Sequence, residues 1–145
     1  MPIDASEDIA RAVCSDKFDP VTGEISPGFF KGANTSVSSL AVCPLEDSWD
    51  LFPKRVGKPP ERVLHCIGVI NVGRLAKIGL GITDKPTVLT VDDAPLEGYP
   101  SHAVIPQNIT RGLSNEIVKN LTMEKPPWFG ASFDAVMRGV KSRRA

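Results

Sequence analysis

The sequence has few cysteines and no excess of charge of either sign. Its three cysteines, Cys14, Cys43 and Cys66, lie far apart and form no Cys-x-x-Cys pair. Their odd number and spacing indicate reduced thiols rather than a disulfide framework or a zinc knuckle. Lys plus Arg and Asp plus Glu are equal at 17 each. No global attraction therefore makes nucleic acid or an anionic membrane the default partner.

Long hydrophobic runs are also missing. The longest apolar stretch, residues 66–72, is interrupted by Gly68 and Asn71, and it is far shorter than the roughly 20 residues that span a bilayer. Residues 1–8 are acidic and lack the basic region and apolar block of a secretion signal. We therefore expect a cytoplasmic protein with no membrane partner.

The sequence carries none of the common motifs for cofactors, metals or nucleophiles. Gly79-Leu80-Gly81 does not have the Gly-x-Gly-x-x-Gly spacing, and no phosphate-binding loop or Gly-x-Ser-x-Gly elbow is present. The two histidines form no short metal-binding motif. Asp92-Asp93 is more typical of an acidic turn facing water than of a cation site. The sequence thus predicts neither a cofactor nor a metal.

What is present fits an ordinary globular domain. The chain has 145 residues, of which 41% are hydrophobic and 23% charged, and these values suit one domain over residues 1–145. Residues 16–44 are rich in turn formers and predict irregular structure with one or two short strands. Residues 141–145 form a basic tail. We predict a single compact α+β domain with a small mixed sheet of about three to five strands and about four short helices.

Five segments have apolar residues at helical spacing. In residues 6–14 these are Ile9, Ala12 and Val13, and in residues 111–121 they are Leu113, Ile117 and Leu121. Asn108 or Thr110 is a suitable cap for the latter helix. The predicted helices are Ser6–Cys14, Leu45–Phe52 ending at Pro53, Val72–Leu80, Arg111–Leu121 and Ser132–Lys141.

Three segments have the composition of strands. Val63–Ile70 is almost continuously apolar, as expected for a strand covered on both faces. Thr87–Val91 and Ala103–Ile105 are shorter β-type runs, joined by the acidic loop 92–100. We place Val63–Ile70 at the centre of the sheet.

Of the two histidines, the one in the segment Tyr99–Ile105 is the stronger candidate for a functional residue. His102 follows a turn and begins a short β run, a position where functional groups are often displayed. The alternative is a histidine whose ring nitrogens simply pair with backbone groups. Ser101 is a poor partner for it, because neighbouring strand residues point to opposite faces.

His65 lies inside the predicted central strand, where a hydrogen-bonded neutral imidazole is the ordinary explanation. If the strands carrying His65 and His102 were adjacent, the two rings would meet. With Asp92 or Asp93 they would then form a metal or acid–base site.

Two groups suggest partners. Trp128 and Phe129 follow two prolines and suit either a docking surface or packing of the last helix. Lys54, Arg55 and Lys58 lie in a predicted exposed basic loop, and the C-terminal Arg143 and Arg144 suit either helix capping or phosphate contact.

Several short elements occur in an order that resembles a group of small bacterial proteins with no assigned activity. The elements are Arg11–Phe18, Gly23–Ser26 with Phe29 or Phe30, Ser36-Val37, Gly73-Arg74 through Gly79-Leu80, and Pro100-Ser101-His102-Ala103. The resemblance, centred on the Pro-x-His-Ala element, implies a bacterial origin and a mobile-element or antiviral defence locus. It implies no catalytic residue.

Three functional hypotheses follow. The favoured one is a non-catalytic adaptor that binds a larger protein encoded in the same locus, with Trp128 and Phe129 in the interface. The second is a small enzyme acting on a nucleotide, nucleic acid or protein, with an ADP-ribosyl-transferase-like or nuclease-like fold; its catalytic candidates are His102, Arg11, Ser36 and Asp92. The third and weakest is nucleic-acid binding through Lys54, Arg55, Lys58, Arg143 and Arg144.

Overall fold

The computed structural model describes residues 2–56, 62–82 and 85–126. These ranges form a mixed α+β structure, as predicted. The strands are β1 (Asp8–Cys14), β2 (Phe18–Asp19), β3 (Glu24–Ile25), β4 (Thr35–Ser39), β5 (Leu64–Asn71), β6 (Asp92–Asp93), β7 (His102–Ile105) and β8 (Thr122–Glu124); the helices are α1 (Leu45–Arg55), α2 (Val72–Leu80) and α3 (Arg111–Lys119). The prediction of three to five strands was therefore too low.

Six of the strands form one antiparallel sheet in the order β6-β7-β4-β1-β5-β8, and β2 and β3 form a separate hairpin. The longest pairing joins β1 to β5, from Asp8 opposite Asn71 to Cys14 opposite Leu64. The pairing of β1 with β4 is much shorter, since it includes only Ile9 opposite Ser39 and Ala10 opposite Ser38. The middle of the sheet is thus firmly paired on one side of β1 and only briefly on the other.

The alternation of side chains along the strands divides the core into two clusters, one on each face of the sheet. The first, which we call the α2–α3 face, is covered by the two later helices and contains Ile9, Val13, Val37, Cys66, Leu75, Ile105, Leu113 and Ile117. The second, which we call the α1 face, is covered by α1 and contains Ala10, Ala12, Cys14, Trp49, Phe52, Ile67 and Tyr99. The sheet is therefore a middle layer between helices.

The largest error in the sequence prediction concerns residues 6–14, which form strand β1 and not a helix. Ile9, Ala10, Ala12, Val13 and Cys14 are all buried, because β1 lies inside the sheet and is covered on both faces. An apolar run of this kind satisfies helical spacing by coincidence, and periodicity alone does not distinguish the two structures.

Helix α1 also differs from the prediction at its end. It continues through Pro53 to Arg55, so Lys54 and Arg55 belong to its last turn and not to a loop. The Val56 amide donates to the Phe52 carbonyl at 2.7 Å, which extends the helical bonding past the proline. The side chain of Arg55 is bound to a neighbouring loop, as described below.

Helices α2 and α3 match the predictions, α2 at both ends. The Asn71 side chain caps α2 by accepting from the Arg74 amide, and Thr110 caps α3 by accepting from the Leu113 amide. Strand β5 is an interior strand, as its continuous apolar run indicates, but it lies next to the edge strand β8 and not at the predicted centre of the sheet, which β4 and β1 occupy.

Thr87–Val91 does not form the predicted strand. The side chain of Gln107 takes the place of a strand partner: its Oε1 accepts from the Thr90 amide at 3.0 Å and its Nε2 donates to Thr90 Oγ1 at 2.7 Å. Residues 16–44 contain β2, β3 and β4, one strand more than expected.

Some predictions lie outside the described residues. These are the helix Ser132–Lys141, the tail 141–145, Lys58, Trp128, Phe129, Arg143 and Arg144. Within the ranges that are described, every helix is too short or too polar to cross a bilayer.

Candidate functional site

A cleft of about 560 Å³ opens on the α1 face of the sheet. Its floor includes Ala10 and Ala12 of β1 and Ser36 of β4, and its walls include the end of α1 and the loop that precedes β7. The volume lies within the roughly 300–1,000 Å³ typical of small-molecule sites. This is the part of the described chain in which predicted site residues come together.

Arg11 lines the cleft where β1 and β4 are no longer paired. Its Nε donates to the Phe29 carbonyl at 3.2 Å, and its Nη1 donates to the Ser36 carbonyl. Its guanidinium also lies over the ring of Phe29, with 4.9 Å between the guanidinium carbon and the ring centroid. Burial lowers the pKa of the Arg11 guanidinium below its ordinary value, but an arginine this basic keeps its charge at neutral pH.

The position of Arg11 accounts for the short pairing between β1 and β4. The two strands are paired only as far as Ala10 and Ser38. Beyond this point, the Ser36 carbonyl of β4 accepts from Arg11 instead of from a β1 amide. A backbone acceptor left without a donor is costly, so the guanidinium replaces the missing ladder bond. The cleft occupies the side of the sheet where the strands separate.

His102 is hydrogen-bonded through both ring nitrogens. Nδ1 lies 2.7 Å from the Ala94 carbonyl oxygen, and Nε2 lies 3.1 Å from Ser36 Oγ. A carbonyl oxygen only accepts, so Nδ1 carries the proton and Nε2 of the neutral ring is an acceptor. The hydroxyl of Ser36 therefore donates to Nε2. A base oriented by a second hydrogen bond and touching a hydroxyl is the arrangement that activates nucleophiles.

Ser36 is the accessible hydroxyl of strand β4. It is exposed, whereas Thr35, Ser38 and Ser39 in the same strand are buried. Ser36 and His102 belong to neighbouring antiparallel strands, where Ser36 is opposite Val104 and Ser38 is opposite His102. The Ser36–His102 pair is thus diagonal across two strands and opens into the cleft.

A second, buried set of hydroxyls lies next to the pair. Ser38 Oγ and Ser101 Oγ are 2.7 Å apart, and Tyr99 bonds to Ser38 while its ring meets the His102 ring edge-on at 5.1 Å between centroids. Burial raises the pKa of the Tyr99 hydroxyl. Ser101 pairs with Ser38 and not with His102, which confirms that the two neighbours do not form a dyad.

The loop that contacts His102 is held by Arg55. Its Nε donates to the Gly98 carbonyl and its Nη2 to the Glu97 carbonyl, both at 3.1 Å. Gly98 has a φ of +72°, and a Cβ at this position would collide with the Arg55 guanidinium. Arg55 thereby fixes the segment that supplies both Ala94 and Tyr99 to the imidazole.

The cleft is strongly positive although the whole chain is neutral. Among the described residues that line it, cationic side chains outnumber acids; the cations are Arg11, Lys17, Lys31, Arg55 and Arg62, and the acid is Asp16. Asp16 forms an exposed ion pair with Arg62 at 3.4 Å, which leaves the other four cations without an acidic partner among these described lining residues. Such a concentration of positive charge attracts anions.

The four residues that the sequence nominated as catalytic separate into two groups. Arg11, Ser36 and His102 line the same cleft and are linked by hydrogen bonds. Asp92 does not line it. Asp92 lies in the edge strand β6 opposite Val104, and the Nδ1 of His102 bonds to a backbone carbonyl rather than to its carboxylate.

His65 and His102 do not meet. Strands β1 and β4 lie between the strands that carry them, which separates the backbones by three strand spacings, about 14 Å. The ring of His65 instead packs against Phe18, with 5.1 Å between centroids. Among the residues that the structure describes, no group of three His, Cys, Asp or Glu side chains is arranged to hold a metal ion.

Several site residues have no signal that sequence reasoning could have used. Ala94 contributes only its backbone carbonyl. Lys17, Lys31 and Arg62 are isolated cations in sequence and converge because β1 ends where β4 and β5 begin. Arg55 was predicted as a nucleic-acid contact and is found in the wall of the cleft.

The candidate site must be interpreted from its own geometry. The chain matches no protein-family model, no curated protein and no solved structure.

Proposed function

We propose that this chain is a small enzyme that acts on a nucleotide, with His102 as the proton-transferring group and Arg11 as an anchor for the substrate. The observation that carries the proposal is the hydrogen-bonded chain from the Ala94 carbonyl through the His102 ring to Ser36, in a cleft that also contains Arg11.

The charge of the cleft supports a phosphate-bearing substrate. Lys17, Lys31 and Arg62 lie at the end of the sheet where β1 stops, and they are exposed. Two arms of the Arg11 guanidinium are already bonded to the Phe29 and Ser36 carbonyls, so Arg11 contributes fixed positive charge to the cleft rather than a bidentate phosphate contact. These cations would orient the phosphates of a nucleotide and raise its local concentration.

The opposite wall supports an attached apolar or aromatic group. It is formed by Val56, Leu96 and Tyr99, and Leu96 is 55% exposed although it is a large apolar side chain. An exposed apolar surface beside a polar centre is typical of ligand sites. A nucleotide has both required parts, since its phosphates are anionic and its base is flat and largely apolar.

The geometry gives His102 a clear chemical role. Because Nδ1 donates to Ala94, Nε2 accepts a proton from Ser36 or from a substrate hydroxyl or water that displaces it. The imidazolium formed in this way is stabilised by the Ala94 carbonyl and can return the proton to a leaving group.

The other two hypotheses stay predictions. The adaptor hypothesis depends on Trp128 and Phe129, which lie outside the described residues, and recovery of a partner at stoichiometric yield from cells expressing the native locus would support it. Nucleic-acid binding depends in part on Arg55, whose Nε and Nη2 donate to the carbonyls of Gly98 and Glu97. Binding that does not weaken with salt would exclude phosphate contacts of this kind.

The experiment is a turnover assay with a panel of nucleoside mono-, di- and triphosphates and dinucleotides, read by mass spectrometry of the products. The variant is His102→Asn, because the asparagine amide can take the place of Nδ1 and donate to Ala94 while nothing replaces Nε2. The matched control is His65→Asn, which changes the other histidine of the chain. We expect His102→Asn to lose activity by roughly 100-fold or more.

His65→Asn should retain the wild-type rate, since its ring lies against Phe18 and outside the cleft. The proposal is wrong if the wild type converts no nucleotide of the panel, or if the two histidine variants have equal activities.

A further inference from the structure

We propose that Ser36 is a nucleophile that carries a covalent phosphoryl group during the reaction, with His102 as its general base. The inference rests on the proposed function for the class of substrate, a phosphoester of a nucleotide. The reactivity of Ser36 is nevertheless a separate property, because it can be measured with a probe that resembles no nucleotide.

The hydrogen bond of the Ser36 hydroxyl has a defined direction. With Nδ1 committed to the Ala94 carbonyl, Nε2 is the acceptor and the Ser36 proton points toward it. The separation of 3.1 Å is within the roughly 2.6–3.2 Å required for proton transfer. The lone pairs of the Ser36 oxygen are then directed away from the histidine, toward the open cleft.

Four other serine hydroxyls lack the exposure and the histidine partner that Ser36 combines. Ser38 and Ser101 are buried and bond to each other, and Ser114 is buried and accepts from the Phe30 amide. Ser6 is exposed, but its hydroxyl bonds to the Asp4 carboxylate at a site with no cleft. Ser36 alone among these joins exposure to a histidine partner.

A positive charge lies next to Ser36. Nη1 of Arg11 donates to the Ser36 carbonyl, so the guanidinium is bonded to the same residue that carries the attacking oxygen. Charge that is fixed in place before the reaction stabilises the negative oxygens that develop in the transition state. The same contact also holds the Ser36 backbone in one conformation.

The proposed step is a displacement at phosphorus. The Ser36 oxygen forms a bond to the phosphorus as the bond to the leaving alcohol oxygen breaks, and the serine proton passes to Nε2 of His102 and then to the leaving oxygen. A water molecule next gives its proton to Nε2 and attacks the phosphorus. The Ser36–phosphorus bond breaks, the proton returns to Ser36, and no oxidant or further reactant is needed.

The test uses an alkyl fluorophosphonate on the full-length chain. Attack by Ser36 forms an oxygen–phosphorus bond and expels fluoride, and the resulting mass increase is located by peptide mapping. We expect a single adduct on Ser36 in the wild type and in Ser6→Ala, none in Ser36→Ala, and labelling at least 100-fold slower in His102→Asn. The melting curve of Ser36→Ala should overlay that of the wild type, because the Ser36 side chain is exposed.

Three results would overturn the assignment of Ser36 as a nucleophile. These are an adduct on another residue, no adduct at all, or equal labelling rates in the wild type and His102→Asn. Failure of the two proposals can be distinguished. If Ser36 is labelled but no nucleotide is converted, the proposed function fails and the nucleophile stands. If Ser36→Ala converts nucleotides at the wild-type rate while His102→Asn does not, the nucleophile fails and the proposed function stands.

Discussion

The two faces of the same sheet are covered to different extents. On the α2–α3 face, apolar side chains such as Leu75, Ile105 and Ile117 are completely buried beneath two helices. On the α1 face, a single helix covers part of the strands and leaves a cleft containing Arg11, Ser36 and His102. One face is packed like a protein interior, and the other keeps polar groups paired but accessible.

This difference predicts that substitutions on the α2–α3 face mainly affect stability and that substitutions on the α1 face mainly affect the proposed activity. Removing apolar volume from a packed interior costs free energy because a cavity remains. Polar groups at an accessible site contribute less to folding and more to ligand chemistry. Substitutions on the two faces should therefore have opposite profiles, and the following predictions test this contrast.

The largest effect on stability is expected for Leu75→Ala. The Leu75 side chain is 0% exposed, so its truncation should lower the free energy of unfolding by about 2–5 kcal/mol. Ser36→Ala on the other face should change it by less than about 0.5 kcal/mol. Urea unfolding of both variants checks the contrast, and an equal loss in the two would contradict it.

Arg11→Lys should have the next largest effect and should lower both the stability and the nucleotide affinity. Lysine keeps the charge but lacks the fork that serves the Phe29 and Ser36 carbonyls together. We expect a loss of about 1–3 kcal/mol in stability and at least a tenfold loss in nucleotide affinity. Calorimetric titration and thermal melts measure the two quantities. An unchanged nucleotide affinity would contradict the assignment of Arg11 to the proposed substrate site.

Gly98→Ala should affect the site more than the fold. The positive φ and the contact with Arg55 both oppose a Cβ, so a cost of about 1–2 kcal/mol is expected. Displacement of Arg55 would free the loop that holds Ala94 against His102, and turnover should fall further than stability predicts. Gly112→Ala, at a helical glycine where a Cβ meets open space, is the control. Equal turnover in both variants would show that the loop does not position His102.

The smallest effect concerns Cys66 on the α2–α3 face. Burial raises the pKa of the Cys66 thiol to about 11, so the folded protein keeps a proton that the unfolded chain loses at lower pH. This contribution to stability is complete below the ordinary thiol pKa and is lost as the pH rises from there toward 11. The wild type should therefore lose more in melting temperature between pH 8 and pH 10.5 than Cys66→Ala does. Parallel decreases would contradict the prediction.

The parts of the fold that the sequence predicted correctly are those with local signals. Helices α2 and α3 have one apolar side and a capping side chain, Asn71 or Thr110. Strand β1 was mistaken for a helix because a strand buried on both faces has no period of its own. Thr87–Val91 failed as a strand because separate groups bond to its backbone: the Gln107 side chain at the Thr90 amide, the Gly79 carbonyl at the Thr87 amide and the Ile3 amide at the Val91 carbonyl.

The sequence allowed the functional groups of the candidate site to be predicted, but not their positions relative to one another. Arg11, Ser36 and His102 were nominated for their functional groups, while their convergence depends on the order β7-β4-β1 in the sheet. No local pattern encodes that order. Asp92 seemed an equally good candidate because it also carries a functional group, yet a backbone carbonyl at Ala94 is what bonds to the imidazole. The resemblance to small bacterial proteins of mobile or defence loci stays a prediction.

The most direct test of the account is a nuclear magnetic resonance titration of the ¹⁵N-labelled chain with ADP. The account predicts saturable shifts of the amides at Arg11, Ser36 and His102, with little change at Leu75 and Ile117 on the opposite face. Shifts centred on Leu75 and Ile117, or none at millimolar ADP, would contradict the claim that the cleft on the α1 face is a nucleotide site.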